Sequence, residues 1–284
     1  MTVRSYPKGR PRKMMRLAGI LVSVSTLVVA SHAFGHDAPE EETLPDRFSL
    51  AIGGFLLDHT NSEVRLDRPG FPLGVRVNLE DDLEVSGTNS VVRVDSYYRF
   101  SSRHRVDLTW YRFKRTGFTN LGKEISFGDI VFPTASGVDS QTRLTVVKLS
   151  YLYSFYHEPR VELGLGAGLH FVDYDYGLDA LQLDLEDSGG GLAPLPNVGF
   201  FLDYSISSQF HVVSQTQLFF IKVGDYKGSL GDFTATLEYR PFTHGGAGIG
   251  FNRFTLDVEM TATDFTGIAE VAYSGLMFYV VGKF

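Results

Sequence analysis

An all-β fold, specifically a transmembrane antiparallel up-and-down β-barrel of about ten strands, is predicted by three features of the chain. The last eleven residues, Ser274 to Phe284, alternate strictly: Leu276, Phe278, Val280, Gly282 and Phe284 share one face, and Met277, Tyr279, Val281 and Lys283 the other. Four short polar connections separate long alternating segments, and longer polar stretches lie between them. Aromatic residues make up 13% of the chain and recur near strand ends, as in Tyr97-Tyr98, Trp110-Tyr111, Tyr151 with Tyr153, and Phe219-Phe220. Rings with an apolar body and a polar tip suit the two faces of a membrane. About 250 residues are also enough for a soluble β-sandwich or soluble barrel, which is the competing architecture.

The N-terminus carries an export signal. Arg4, Lys8, Arg10, Arg12, Lys13 and Arg16 precede an apolar run from Leu17 to Val29, and Ser31-His32-Ala33 offers small residues at a processing site. The run is short for a spanning helix, which needs about 20 apolar residues. Residues 1–33 are therefore read as a removed signal peptide, residues 34–46 as a short acidic periplasmic segment, and 47–284 as the barrel. Removing the signal takes six basic and no acidic residues, leaving 20 against 33, a net charge of −13. Such a surface repels nucleic acid. The absence of cysteine excludes disulfides and thiolate metal sites, and no cofactor motif is present.

Each strand follows from its turns. Ser101-Ser102-Arg103-His104, His157-Glu158-Pro159, Ser207-Ser208-Gln209 and Thr243-His244-Gly245-Gly246 read as tight periplasmic turns. Polar segments near 58–88, 117–140, 175–196, 224–231 and 261–268 read as extracellular loops. Strands are then expected near 47–57, 89–101, 103–115, 142–156, 160–173, 197–206, 209–221, 232–242, 247–260 and 269–284. Leu73 to Leu83 and Glu124 to Phe132 are either loop hairpins or further wall strands, so eight and twelve strands stay open.

Period two assigns the faces. Val92, Val94, Tyr98 and Phe100 face lipid, while Arg93, Asp95, Tyr97 and Arg99 line the lumen. In 160–173 the lipid row is Val161, Leu163, Leu165, Ala167 and Leu169, leaving Glu162, three glycines and His170 inside. The same logic sends Arg105, Asp107, Lys148, Asp203, Gln215, Gln217, Glu238, Arg240, Asp257, Glu259 and Lys283 inward. These mixed charges are expected to form cross-lumen ion pairs that plug a narrow barrel, with a selective pore as the other outcome. The alternation breaks at Tyr111 to Arg115 and at Asn252-Arg253, through a bulge or the end of the membrane band.

Candidate chemistry is sparse. His59 with Asp58, Asp81 and Asp82 is a rim arrangement of the kind used for acid/base catalysis, set against an ordinary polar loop. His170 with Asp173 and Asp175 is a second rim cluster, set against a hydrogen-bonded interior histidine. The acidic loop at 175–196 has oxygen ligands for a divalent cation or a lipopolysaccharide bridge, but matches no calcium motif and reads as a solvated loop, with one helical turn across Leu178 to Leu185. The glycine runs at 164–168 and 245–250 open no helix in a βαβ unit and are not phosphate loops.

The final strand resembles that of Gram-negative outer-membrane barrels, which implies recognition of Phe284 by the barrel assembly machinery. Tyr98-Arg99-Phe100-Ser101-Ser102-Arg103-His104-Arg105 and Glu162-Leu163-Gly164-Leu165-Gly166-Ala167-Gly168-Leu169-His170 are the most individual stretches, and the mature chain resembles uncharacterised proteobacterial outer-membrane barrels. Outer-membrane lipid and lipopolysaccharide are the partners this implies. The expected function is a non-enzymatic envelope protein, structural or a small-solute channel. An outer-leaflet enzyme acting on lipid A, phospholipid or peptide, and a surface receptor or adhesin, are the alternatives.

Overall fold

A computed structural model describes residues 46–67, 77–87, 90–127, 130–180, 182–224, 226–261 and 266–284. The expected signal peptide and most of the acidic segment, like Leu73 to Arg76, lie outside the described residues. The strands are β1 (Phe48–Asp67), β2 (Val77–Asn78), β3 (Ser86–Gly87), β4 (Ser90–Ser101), β5 (His104–Asn120), β6 (Ile125–Phe127), β7 (Ile130–Phe132), β8 (Gly137–Glu158), β9 (Val161–Ala180), β10 (Leu185–Ser205), β11 (Phe210–Val223), β12 (Tyr226–Phe242), β13 (Gly245–Thr261) and β14 (Thr266–Lys283). Ten of them, all but β2, β3, β6 and β7, form one antiparallel wall in chain order, and β14 pairs with β1 to close it. All four predicted tight turns sit between consecutive wall strands, at β4–β5, β8–β9, β10–β11 and β12–β13.

Closure gives every wall strand a hydrogen-bonded neighbour on each side, which is what permits a sheet to cross a bilayer. The seam is tight: the Phe48 N–H donates to the Phe284 carbonyl at 2.8 Å, and the Phe284 N–H returns to Phe48 at 2.8 Å. Added side-chain carbon at Gly275 would lie 2.1 Å from the Leu56 carbonyl oxygen, so glycine is what lets β14 lie this close to β1. At Leu57/His59 the register shifts by one residue. Ser49, Ala51 and Phe55 are buried before the shift and Ser62 after it, so the bulge at Asp58 switches the inward row from odd to even numbers.

The wall is taller than expected. β8 has 22 residues and β10 has 21, where about 9–11 cross a membrane. Most of the segment expected as loop at 175–196 is paired strand, with Asp179 opposite Glu186 and Asp173 opposite Leu192. The helical turn expected across Leu178 to Leu185 is instead the tight turn of that hairpin, its Leu183 N–H donating to Ala180. Pro194 and Pro196 are tolerated because the pairing of β10 with β11 begins only at Val198, so both prolines sit on a locally exposed edge. Much of 117–140 is likewise strand, and β6 and β7 form the hairpin foreseen within Glu124 to Phe132.

The outer face has a greasy lower zone. Leu163, Leu165, Ala167, Leu169 and Phe171 occupy successive outward positions on β9, and Leu165 is 57% exposed. On β5 the same row runs Val106, Leu108, Trp110, then Arg112 and Lys114. Neither expected break is a bulge: the β5–β8 register runs unbroken from His104 to Asn120, and β13 keeps its register with both neighbours through Asn252 and Arg253. The polar outward residues simply mark where the apolar band ends.

Candidate functional site

The lumen is a stack of packed layers, and its contents follow from which side chains the period-two rows deliver. At the turn end, Arg99 of β4 makes a bidentate pair with Glu162 of β9, both bonds 2.9 Å, and Ser154 also donates to Glu162. Arg105 pairs with Asp107 at 3.0 Å and stacks its guanidinium 3.8 Å from the Phe201 ring centre. Glu238 accepts from Arg240 at 2.7 Å and from the Tyr279 hydroxyl at 2.9 Å, with Lys283 at 3.6 Å. Asp203 lies 3.6 Å from both His211 and Arg240.

The middle layer is a second network. Arg93 forms two bonds to Asp95, at 2.8 and 2.9 Å, and Thr109 adds a third at 2.7 Å. Lys148 of β8 reaches Asp232 of β12 across the barrel, and Asn252 donates to the other Asp232 oxygen at 2.7 Å. His170 is fully buried, its Nε2 3.0 Å from the Gln217 side-chain oxygen, and the Gln217 amide donates to Ser150 at 2.8 Å.

Above lies an apolar layer that the charge reading did not anticipate. Phe55, Tyr111, Phe113, Phe254 and Tyr273 pack edge-on and stacked, with ring centres 4.8–6.4 Å apart, and the Tyr111 and Tyr273 hydroxyls hydrogen-bond to each other. Val91, Leu144, Val146, Val172, Leu195, Leu230, Leu256 and Met277 complete it, with Phe219 packed against it, so every wall strand contributes. The signal was present in the sequence: Tyr111, Phe113, Phe254 and Tyr273 occupy lumen rows once the register is carried through.

An apolar cap packs against the ends of β5, β8 and β9 away from the tight turns. Val77, Leu79, Leu83 and Val85 pack with Leu121, Ile125, Phe132, Val138, Leu178 and Ala180. Glu80 fixes it, accepting from Arg115 at 2.6 Å and from the Ser62 N–H at 2.8 Å.

Several expected placements need correction. The lumen ion pairs are of two kinds: Arg99–Glu162, Lys148–Asp232, Arg240–Asp203 and Lys283–Glu238 join different strands, whereas Arg93–Asp95, Arg105–Asp107 and Glu238–Arg240 are pairs two residues apart on one strand, which period two puts on one face. Asp257 and Glu259 are on the outer face, bonded to Ser229 and Lys227; above the membrane band the outside is wet, so polarity no longer tells the faces apart. His170 does not cluster with Asp173 and Asp175, whose odd positions on β9 point outward, where Asp175 lies 3.5 Å from Arg143. Asp82 is held by the Asn78 N–H at 3.0 Å and by Lys123 at 2.7 Å, within the cap. Asp58 and Asp81 are exposed, and the side chain of His59 lies outside the described residues. Among the described residues no cluster of three histidines or carboxylates is arranged to hold a metal.

No known family model matches the chain, and no curated protein does. Solved structures do. The outer membrane protease OmpT of Escherichia coli aligns over 86% of this chain and 99% of its own, at 11% identity and a TM-score of 0.53. The attachment invasion locus protein Ail of Yersinia pestis aligns at 9% identity, over 84% of this chain and 98% of its own, with a TM-score of 0.32. The toluene transporter TodX of P. putida aligns at 8% identity, over 84% and 91%, with a TM-score of 0.33. Closed antiparallel wall, greasy outer band and the OmpT superposition together give this chain the fold of the Gram-negative outer-membrane β-barrels.

Proposed function

We propose that the chain is an integral outer-membrane protein, exported by a cleaved signal and inserted with the help of its Phe284-terminated strand, whose barrel is a closed structural wall and not a solute channel. The observation that carries this reading is the packed aromatic layer. It draws at least one side chain from each of the ten wall strands, and buried ion-pair networks lie beneath it. Small barrels fill their interior with side chains, and here the filling is both apolar and hydrogen-bonded. Water and ions would have to cross Phe55, Tyr111 and Tyr273, whose rings are almost wholly buried.

Solute uptake tests it. Proteoliposomes containing the folded protein are expected to swell no faster in small sugars or amino acids than empty liposomes, and swelling that scales with solute size would support the channel reading instead.

A surface receptor or adhesin is the second reading. It is favoured by the height of the wall, which lifts the β6–β7 hairpin and the β9–β10 hairpin well beyond the apolar band. The rim-enzyme reading has less support, because Asp82 is committed to Asn78 and Lys123.

A further inference from the structure

The wall is not paired along its whole height. Backbone pairing of β10 with β11 runs from Ser205 opposite His211 to Val198 opposite Leu218, and above that row the two strands diverge. β10 stays paired with β9 as far as Leu185, and β11 with β12 as far as Val223, so each keeps one partner and presents one free edge to the other. Which groups line the β10 edge follows from the parity of the ladder. The Ser205 N–H donates to Arg160 on the β9 side, and the Ile206 N–H donates to Phe210 on the β11 side. Even-numbered residues of β10 therefore turn their N–H and C=O groups toward β11. Pro194 and Pro196 have no N–H, so between Leu192 and Val198 this edge carries two carbonyl acceptors and no donor.

Height and composition select the occupant. Pro196 lies opposite Leu169 and Pro194 opposite Phe171, both members of the outward apolar row of β9, so these carbonyls face the gap at the level of lipid hydrocarbon. An acceptor left unpaired there is costly, because no water stands by to satisfy it. The flanks of the gap are greasy: Phe220 is 80% exposed, Val198 66% and Leu192 64%. At its foot Asn197 is 5% exposed, and neither its side-chain oxygen nor its nitrogen has a partner among the described residues. Acceptors without donors between apolar flanks fit an apolar chain that brings its own donor. An extended peptide fits worse, since its carbonyls would meet an edge that has no N–H to offer them. We propose that the gap between β10 and β11 binds an outer-leaflet amphiphile whose acyl chain bears a hydroxyl or amide N–H. That donor meets the Pro194 or Pro196 carbonyl, and the chain lies along Val198 and Phe220. The site rests on the outer-membrane reading but not on the lumen being closed.

The probes are tetradecanoyl glycerol and 3-hydroxytetradecanoyl glycerol, which differ by one hydroxyl on the chain, each titrated onto the full mature protein folded in detergent. Wild type is expected to bind the hydroxylated probe about tenfold more tightly, the effect of one hydrogen bond to an otherwise unpaired carbonyl. The chain has no cysteine, so Leu195→Cys with Ile221→Cys gives a reversible control that leaves both prolines in place. These two positions stand opposite each other when the ladder is continued upward from Val198 and Leu218, and a disulfide between them closes the gap. The preference for the hydroxylated probe is expected to vanish on oxidation and to return on reduction. Equal affinity of wild type for the two probes overturns the proposal, as does a preference that survives the cross-link. A dimer of the folded protein, seen by sedimentation in detergent and abolished by the cross-link, would assign the gap to a second copy and also overturn it. Should the double variant not fold or not cross-link, the two-probe comparison on wild type decides. Failure to insert into lipid vesicles would refute the outer-membrane reading by itself, whereas solute uptake would contradict only the closed lumen.

Discussion

Lys148 of β8 and Asp232 of β12 meet inside the barrel, joining two strands that have three others between them in the ten-strand wall. Their surroundings complete the arrangement: Asn252 donates to the second Asp232 oxygen, and the Lys148 ammonium also lies 5.3 Å from the Tyr111 ring centre. A charge pair this deeply buried is costly to halve. Lys148→Met leaves Asp232 without its cation and is expected to destabilise the folded barrel by about 3–5 kcal/mol. The double variant Lys148→Met, Asp232→Leu should recover much of that loss. Urea unfolding in detergent micelles, followed by tryptophan fluorescence of Trp110, measures both.

The outward row of β9 gives a prediction about lipid. Leu165 is among the more exposed large apolar residues of the wall. Leu165→Arg should lower stability in phospholipid bilayers by roughly 2–4 kcal/mol if it lies near the midplane, whereas Asp173→Arg on the same row should cost much less. Equal effects at the two positions would contradict the placement of the apolar band.

Barrel closure depends on a missing side chain. Gly275→Val places carbon against the Leu56 carbonyl, 2.1 Å away, at the β1–β14 seam. The variant is expected to lose the slower-migrating or faster-migrating folded form seen on denaturing gels before boiling. Gly54→Ala, where added carbon meets nothing within 4 Å, should keep it.

The fold was readable because a barrel wall imposes period two while lipid makes one row uniformly greasy. Leu163 to Leu169 and Leu276 to Phe284 carry that signal without interruption, and the four tight turns divide the chain at the right places. What the sequence concealed lies above the band. There Asp257 and Glu259 face water on the outside while Phe254 and Leu256 face the packed interior, so the polarity rule inverts. Glycine-rich 188–191 reads as loop, yet Gly189 is paired with Tyr176 and Gly191 with Tyr174, and the missing side chain at Gly189 leaves room for Tyr176, whose hydroxyl an added carbon would meet at 2.7 Å. The same-strand arginine–carboxylate pairs were visible as Arg93-Val94-Asp95 and Arg105-Val106-Asp107, but charge alone does not say whether such partners close on each other or reach across. The aromatic layer was hidden for a different reason: its rings come from strands distant in the chain and meet only once the register is set.

Cutting the aromatic layer should open what the wild type closes. Phe55→Ser with Phe254→Ser removes two fully buried rings from the layer. The double variant is expected to admit water and to conduct, at a cost in stability of about 3–5 kcal/mol for each ring removed.

Single-channel recording in a planar bilayer tests the closed lumen most directly. Folded wild-type protein, inserted and verified by its resistance to detergent before heating, is predicted to show no unitary current steps at any holding potential that the bilayer withstands. Reproducible steps of uniform size from the wild-type protein would contradict the proposal that the layer of Phe55, Tyr111, Phe254 and Tyr273 closes the lumen to ions.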